Sequence, residues 1–230
     1  MPPLPPGLRE RQKQERRRAI SDAATALFLE RGFDAVTMAE VAEAAGVSIK
    51  TIFNYFGSKE ELFLDREAEA REATVAAITD RPAGATITDG LLALLVDHRV
   101  PSGGEGWEVL DDARRREGFR AFLTTWHEST ALRARHLLVQ ERLADTLVAT
   151  LSDELGMAPE DVRIRAMAMM LVAVMHERHR VMAEAVLEGA PAAEVKRRVR
   201  EFSQEAVGRV AAAFPDLDPP RLPQADGDRV

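Results

Sequence analysis

The sequence contains no cysteine, one tyrosine and two tryptophans among its 230 residues. Without cysteine the chain forms no disulfide and offers no thiolate for catalysis or for metal binding. The proline- and arginine-rich start of the chain also lacks the apolar stretch of a secretory signal. We therefore expect a protein of the reducing cytoplasm.

Long apolar runs are scarce as well. The longest run, residues 166–175, has ten residues, whereas a helix needs about 20 to cross a bilayer. A helix that is apolar nearly all round is expected to lie between two packing surfaces, one in its own chain and one in a partner. The sequence therefore predicts no membrane span.

Known catalytic motifs are missing. There is no H-E-x-x-H and no G-x-S-x-G, and the glycine-rich segment 103–106 lacks the lysine of a phosphate-binding loop. We therefore expect a protein that is not an enzyme and has no cofactor. His176 and His179 have an i, i+3 spacing that suits a metal, but no clear third ligand accompanies them, so no metal site is predicted.

The net charge of −7 by itself argues against a protein that binds nucleic acid. The excess of acids is confined to residues 65–230, because residues 1–64 contain nine basic and nine acidic side chains. Within the first 20 residues six bases accompany two acids, and residues 46–59 contain two lysines and no acid. Positive charge is thus concentrated near the N-terminus, although many solvated termini have such a run.

The periodicity of apolar residues predicts an all-α protein, since strand-like alternation is absent and turn residues recur at helix-length intervals. The predicted helices cover about residues 11–31, 38–45, 49–56, 59–82, 88–99, 107–155, 159–187 and 192–213, with breaks near Gly118 and Ser129. The proline- and glycine-rich segments 1–10 and 215–230 are predicted to be disordered tails.

Residues 37–61 have the most informative pattern in the sequence. Two capping boxes mark helix starts, at Thr37–Glu40 and at Ser58–Glu61. Gly46 supplies a left-handed turn that ends the first short helix, and Ser48 caps a second one. Two short helices joined by a tight turn that contains glycine form a helix-turn-helix.

The apolar spacing of the second short helix separates an inner face from an outer face. The inner face is predicted to consist of Ile49, Ile52, Phe53 and Phe56, and the outer face of Lys50, Thr51, Asn54 and Tyr55. Lysine and asparagine pair with base edges in the major groove, and threonine and tyrosine reach phosphates. Lys59, in the first turn of the next helix, is expected to attract phosphate. The alternative is a helical corner whose polar side merely faces water.

Residues 19–64 resemble the N-terminal signature of the tetracycline-repressor (TetR) family. The matching residues are Gly32-Phe33, Thr37, Val41-Ala42, Ala45–Ser48, Tyr55-Phe56 and Lys59–Leu62. The resemblance implies a homodimer on double-stranded DNA with a palindromic operator, which a small molecule releases. It also implies phosphate contacts from Thr37, Tyr55 and Lys59, and base contacts from Ser48, Ile49, Lys50, Thr51 and Asn54. Many members have another residue in place of Asn54, which leaves the operator sequence open.

The resemblance also implies two domains. Residues 11–64 are expected to form a three-helix DNA-binding domain, and residues 65–214 a helical bundle for ligand binding and dimerisation. The last two long helices are expected to form the dimer interface. In the last helix, apolar residues recur at spacings of three and four as a bundle seam, at Val195, Val199, Phe202, Ala206, Val210 and Ala213. Packing within one chain is the alternative for that seam.

Bulky residues on two predicted helices suggest a ligand pocket, because aromatic and methionine side chains form adaptable apolar cavities. The candidates are Trp107, Phe119, Phe122, Trp126, His127, Met167, Met170, Leu171 and Val174. The alternative for each of them is an ordinary core position.

The sequence thus predicts a cytoplasmic transcription repressor, located on the nucleoid when it binds DNA, with an unknown small-molecule effector. Three alternatives stay open: a helical enzyme that contains a helix-turn-helix corner, a DNA-binding protein with no ligand, and an activator instead of a repressor.

Overall fold

The computed structural model describes residues 7–65, 67–97 and 110–222, and within these ranges the protein is all-helical, as predicted. Ten helices are present there: α1 Leu8–Arg31, α2 Met38–Ala44, α3 Ile49–Tyr55, α4 Lys59–Phe63, α5 Glu67–Thr79, α6 Ile87–Asp97, α7 Ala113–Glu128, α8 Thr130–Leu155, α9 Val162–Leu187 and α10 Ala192–Ala213. In the described part of the chain no helix is long and apolar enough to span a membrane.

The chain divides into two compact units that do not coincide with the two predicted domains. The first unit combines residues 1–65 with residues 121–135, and the second combines residues 66–120 with residues 136–230. The expected DNA-binding domain therefore has an additional part from the middle of the chain, which the sequence pattern had assigned to the ligand-binding domain.

An aromatic cluster forms the centre of the first unit. The ring of Phe28 lies 5.1 Å from that of Phe33 and 5.8 Å from that of Phe63, between centroids. Phe122 stacks on Phe63 at 4.6 Å, and Trp126 meets Phe63 edge-on at 6.2 Å. Aromatic pairs at these separations stabilise a core beyond the area they bury. The end of α7 thus belongs to the core beneath the helix-turn-helix.

Two hydrogen bonds also join residues 121–135 to the N-terminal part of the first unit. The hydroxyl of Ser129 donates to Asp34 at 3.2 Å, and the guanidinium of Arg135 contacts Glu61 at 3.3 Å. Ser129 separates α7 from α8, so the break predicted there is confirmed, whereas Gly118 lies within α7 and causes no break.

The prediction of one continuous helix over residues 59–82 is wrong. Helix α4 ends at Phe63, where Leu64 leaves the helical conformation (φ −101°, ψ 34°), and α5 begins at Glu67. Because no glycine or proline stands near this point, the sequence contained no signal for the break. Burial of Phe63 in the aromatic cluster accompanies it.

Helices α6, α8, α9 and α10 supply most of the core of the second unit. Residues from all four helices share one apolar cluster: Leu91 and Leu95, Leu147 and Leu151, Met167, Leu171 and Met175, and Val207 and Val210. On α10 the valines of the expected seam, Val195, Val199 and Val210, are buried within their own chain, while Phe202 and Ala206 are half-buried and Ala213 is exposed. Packing within the chain therefore accounts for the valines.

The prediction of a disordered tail is wrong for residues 215–222. Leu217 is buried in the apolar cluster, and the carboxylate of Asp218 accepts hydrogen bonds from the backbone N–H (2.9 Å) and the hydroxyl (2.5 Å) of Thr88. The backbone of Arg221 exchanges two 2.9 Å hydrogen bonds with Gly84 and Ala85. Tertiary contacts order the segment despite its prolines. At the other end, α1 begins at Leu8, inside the segment predicted to be disordered.

Candidate nucleic-acid interface

Helix α2 begins at a complete capping box, as the sequence predicts. The backbone N–H and the hydroxyl of Thr37 donate to the Glu40 carboxylate at 2.8 and 2.7 Å, and the Glu40 N–H donates to the Thr37 hydroxyl at 3.3 Å. These bonds, with an added 2.7 Å contact from Arg31, lower the pKa of Glu40 to about 2. Glu40 is therefore ionised at neutral pH and fixes the start of α2.

A left-handed glycine forms the turn between α2 and α3. Gly46 has φ 63°, a conformation that side chains with a Cβ rarely adopt. The turn allows the N–H of Val47 to reach the carbonyl of Ala42 at 2.9 Å. Ser48 then caps α3, because its hydroxyl accepts a hydrogen bond from the N–H of Thr51 at 3.1 Å. The predicted helix-turn-helix is therefore present, with α2 and α3 as its two helices.

The orientation of α3 differs in part from the sequence prediction. Ile52 and Phe56 are buried, as expected, but Ile49 is 47% exposed and Phe53 is 53% exposed. The prediction that Ile49 and Phe53 face inward is wrong. Ile52 is the buried side chain within α3, and Phe56, just beyond the end of the helix, is buried as well.

Arg17 of α1 holds the end of α3 in place. Its guanidinium donates to the carbonyl of Tyr55 at 2.7 Å and lies 4.2 Å from the centre of the Phe56 ring. The hydrogen bond satisfies a carbonyl at the helix C-terminus, where a cation is favourable. In the sequence Arg17 belongs to a basic run, and no local pattern distinguishes it from Arg16 and Arg18.

Lys59 also has a structural role that the sequence did not reveal. Its ammonium donates to the carbonyls of Phe33 and Val36, each at 2.9 Å, and lies 4.3 Å from the centre of the Phe33 ring. An ammonium has three N–H donors, and two are used here. Lys59 thereby fixes the loop that leads into α2. The second capping box differs from the predicted one by one residue. The Glu61 carboxylate accepts its hydrogen bond from the backbone N–H of Gly57, at 2.7 Å, one residue before Ser58.

A groove of about 970 Å³ runs between α1 and the helix-turn-helix. On the α1 side its lining includes the bases Lys13 and Arg16 and one acid, Glu15, and on the α3 side it includes Thr51 and Tyr55. Basic side chains opposite hydroxyl groups match the chemistry of a phosphate backbone. Of the residues predicted to contact DNA, those that are exposed are Thr37, Ser48, Ile49, Lys50 and Asn54, and those that are half-buried are Thr51, Tyr55 and Lys59.

The residues predicted to line a ligand pocket are divided between the two compact units. Trp107 lies outside the described residues. Phe122, Trp126 and His127 belong to the first compact unit, and the candidates in the second are Phe119, Met167, Met170, Leu171 and Val174. Met167, Leu171 and Val174 are buried in the apolar cluster of the second unit, whereas Met170 is 39% exposed and His127 is exposed. Met167, Leu171 and Val174 therefore occupy core positions of the second unit.

The N-terminal region is similar in sequence to known proteins. Residues 20–65 match the family model described as "Bacterial regulatory proteins, tetR family". Over 82 residues the chain is 40% identical to the HTH-type transcriptional regulator TcmR of Streptomyces glaucescens, which covers 36% of each protein. Over 74 residues it is 42% identical to the HTH-type transcriptional repressor KstR of Mycolicibacterium smegmatis, covering 31% of this chain and 34% of KstR. The chain thus spans about a third of the length of these curated relatives.

The fold as a whole has a counterpart among solved structures. The structure of a SmeT–triclosan complex superposes with a TM-score of 0.54 and 18% identity, covering 94% of this chain and 99% of that one. At this identity the likeness concerns the fold alone. Residues 20–65 of this chain are thus similar to the tetR family of bacterial regulatory proteins, and its all-helical fold is similar to that of the SmeT structure.

Proposed function

We propose that the protein is a DNA-binding transcription regulator that reads an operator with α3. The observation that carries the proposal is the outer face of α3, which presents Ile49, Lys50, Phe53 and Asn54 to solvent without any acidic side chain. An α-helix fits the major groove of B-DNA. A solvated surface helix without such a role would be expected to mix both signs of charge.

The groups around α3 are arranged for distinct contacts. We assign base contacts to Ser48, Ile49, Lys50, Thr51 and Asn54, and phosphate contacts to Thr37, Tyr55 and Lys59. The groove beside α1 adds Lys13 and Arg16 to the phosphate set. Phosphate contacts position a protein on the duplex, whereas contacts to base edges select the sequence.

We further propose that the second unit binds a small-molecule effector and dimerises the protein on a palindromic operator. Support for a dimer comes from α9, where Met169 is 59% exposed beside the exposed Met170 and Ala173. A contiguous apolar strip of this kind is typical of a protein–protein interface. Two copies related by a twofold axis would place two α3 helices in successive major grooves.

Repression with release by a ligand is the mode of action that we propose. KstR is named a repressor, and the SmeT structure is a complex with triclosan, a small molecule. An effector that binds preferentially to a dimer with wrongly spaced α3 helices would lower operator affinity. A coupling of about 1–3 kcal/mol would change that affinity by about 5- to 150-fold.

Selection of fragments from sheared genomic DNA of the source organism, with purified protein at near-physiological salt, tests the proposal. We expect enrichment of a short palindrome, and we expect a Lys50→Ala, Asn54→Ala variant to enrich a different sequence or none. The Ala149→Lys variant, on the exposed side of α8, should enrich the same palindrome as the unmodified protein. A folded protein that enriches no fragment would contradict the proposed function.

A further inference from the structure

Two large apolar side chains are exposed on the helix that faces the proposed operator. Ile49 and Phe53 are 47% and 53% exposed, while Ile52, between them in sequence, is fully buried. Residues four apart lie on the same side of an α-helix. Ile49 and Phe53 therefore form one apolar strip, with Lys50 and Asn54 beside it on the same outer face.

Nothing in the described part of the first compact unit covers this strip. Phe53 is absent from the aromatic cluster of Phe28, Phe33, Phe63, Phe122 and Trp126, which fills the core below α2 and α4. The helix is held from its other side, by Ile52 in the core and by Arg17 on the carbonyl of Tyr55. The strip therefore belongs to a well-anchored helix, and the described residues leave about half of each of its two side chains open to a partner.

We infer that Ile49 and Phe53 select thymine, by contact with its C5-methyl groups in the major groove of the operator. This inference rests on the proposed function and names the bases that the recognition surface prefers. Among the groups that the four base pairs present in the major groove, the thymine methyl is the apolar one. The absence of acids from residues 46–59 and the lysine beside the strip favour DNA over an apolar protein partner.

The spacing of the two side chains limits where the thymines lie. Four residues of α-helix rise by about 6 Å, and successive base pairs along one strand rise by about 3.4 Å. With α3 lying along the groove, Ile49 and Phe53 face base pairs about two steps apart. Each half-site is therefore expected to contain two thymines within three consecutive base pairs, adjoining the bases read by Lys50 and Asn54.

Replacement of thymine by uracil in the selected operator tests the inference, because it removes the methyl and leaves the Watson–Crick pairing intact. We expect uracil in place of each critical thymine to lower the affinity of the protein for the operator about fourfold, the equivalent of about 0.8 kcal/mol for one buried methyl group. The Phe53→Ala variant should bind the operator equally well with thymine or uracil at the base pair that Phe53 contacts. The Lys50→Ala variant is the matched control, and its preference for thymine over uracil there should persist.

The possible outcomes separate this inference from the proposed function. Equal binding of thymine and uracil operators by the unmodified protein would overturn the inference and leave the regulator intact. The same holds if Phe53→Ala weakens both operators alike, or if it changes the oligomeric mass, which would make the strip a protein contact. If no fragment is enriched in the first place, the proposed function fails and this inference fails with it.

Discussion

At the scale of single residues, two cations of the candidate DNA interface already form hydrogen bonds within their own chain. Lys59 and Arg17 both donate to backbone carbonyls and both lie against aromatic rings. The resemblance implies a phosphate contact for Lys59, whereas its two 2.9 Å hydrogen bonds give it a role in positioning the loop before α2. The two roles lead to different measurable consequences.

Replacement of Lys59 by methionine separates these roles. Because two partly buried hydrogen bonds to carbonyls are lost, we expect the free energy of unfolding to fall by about 1–3 kcal/mol. If the third N–H also contacts a phosphate, the slope of log affinity against log salt concentration falls by about 1. Thermal or urea unfolding measures the first effect, and operator titrations at several salt concentrations measure the second.

Arg16→Met is the matched comparison for Lys59→Met, because Arg16 lines the groove beside α1 and has no hydrogen bond there among those described. We expect it to reduce the salt slope while leaving stability unchanged. Unaltered stability in Lys59→Met would contradict the positioning role that the structure gives to Lys59.

At the scale of helices, α5 and α6 of the second unit pack closely at Gly90. A Cβ added to Gly90 of α6 would lie 2.0 Å from the carbonyl oxygen of Ala77 in α5. The backbone of α5 occupies this space, so a rotation of a side chain cannot relieve the overlap. Glycine at this position allows the two helices to pack closely. The helix periodicity of the sequence does not predict this contact.

We expect Gly90→Ala to destabilise the protein by about 1–3 kcal/mol or more, as overpacking against a backbone atom does. Gly118→Ala in α7 is the matched control, because a Cβ there has nothing within 4 Å. Alanine in an open helical position should stabilise by about 0.5–1 kcal/mol. Denaturant unfolding of both variants measures the difference, and equal stabilities would contradict the close packing of α5 against α6.

At the scale of the whole molecule, the exposed strip on α9 is the surface that we propose for dimerisation. The valines of α10 are buried in their own chain. The outer face of α10 carries ion pairs instead, such as those of Arg197 with Glu194 and Glu201. Exposed surface ion pairs contribute little to stability. We therefore expect the apolar part of a dimer interface to come from α9 more than from the α10 valines.

Replacement of Ala173 by lysine tests this expectation, because it places a charge within the apolar α9 strip. We expect the unmodified protein to sediment as a dimer and Ala173→Lys to shift to monomers, with operator affinity reduced at least tenfold. Ala149→Lys makes the same change at an exposed alanine of α8 and should remain dimeric. A dimer that persists in Ala173→Lys would exclude this face as the interface.

The sequence by itself determined the local elements. Capping side chains, a left-handed glycine and apolar periodicity act within a few residues of each other, so they predicted α2, α3 and the limits of α10. The same local pattern identified the exposed positions Lys50 and Asn54 and the buried positions Ile52 and Phe56.

Only the tertiary structure decided which surfaces those elements present. Ile49 and Phe53 are exposed, whereas Ile52 and Phe56 of the same predicted face are buried. The core of the first unit also includes two aromatic residues from the distant segment 121–135. Residues 215–222 are ordered because Asp218 and Arg221 find partners more than 100 positions away. The sequence shows which residues are apolar, whereas the burial of each residue depends on the other side chains that compete for the same space in the core.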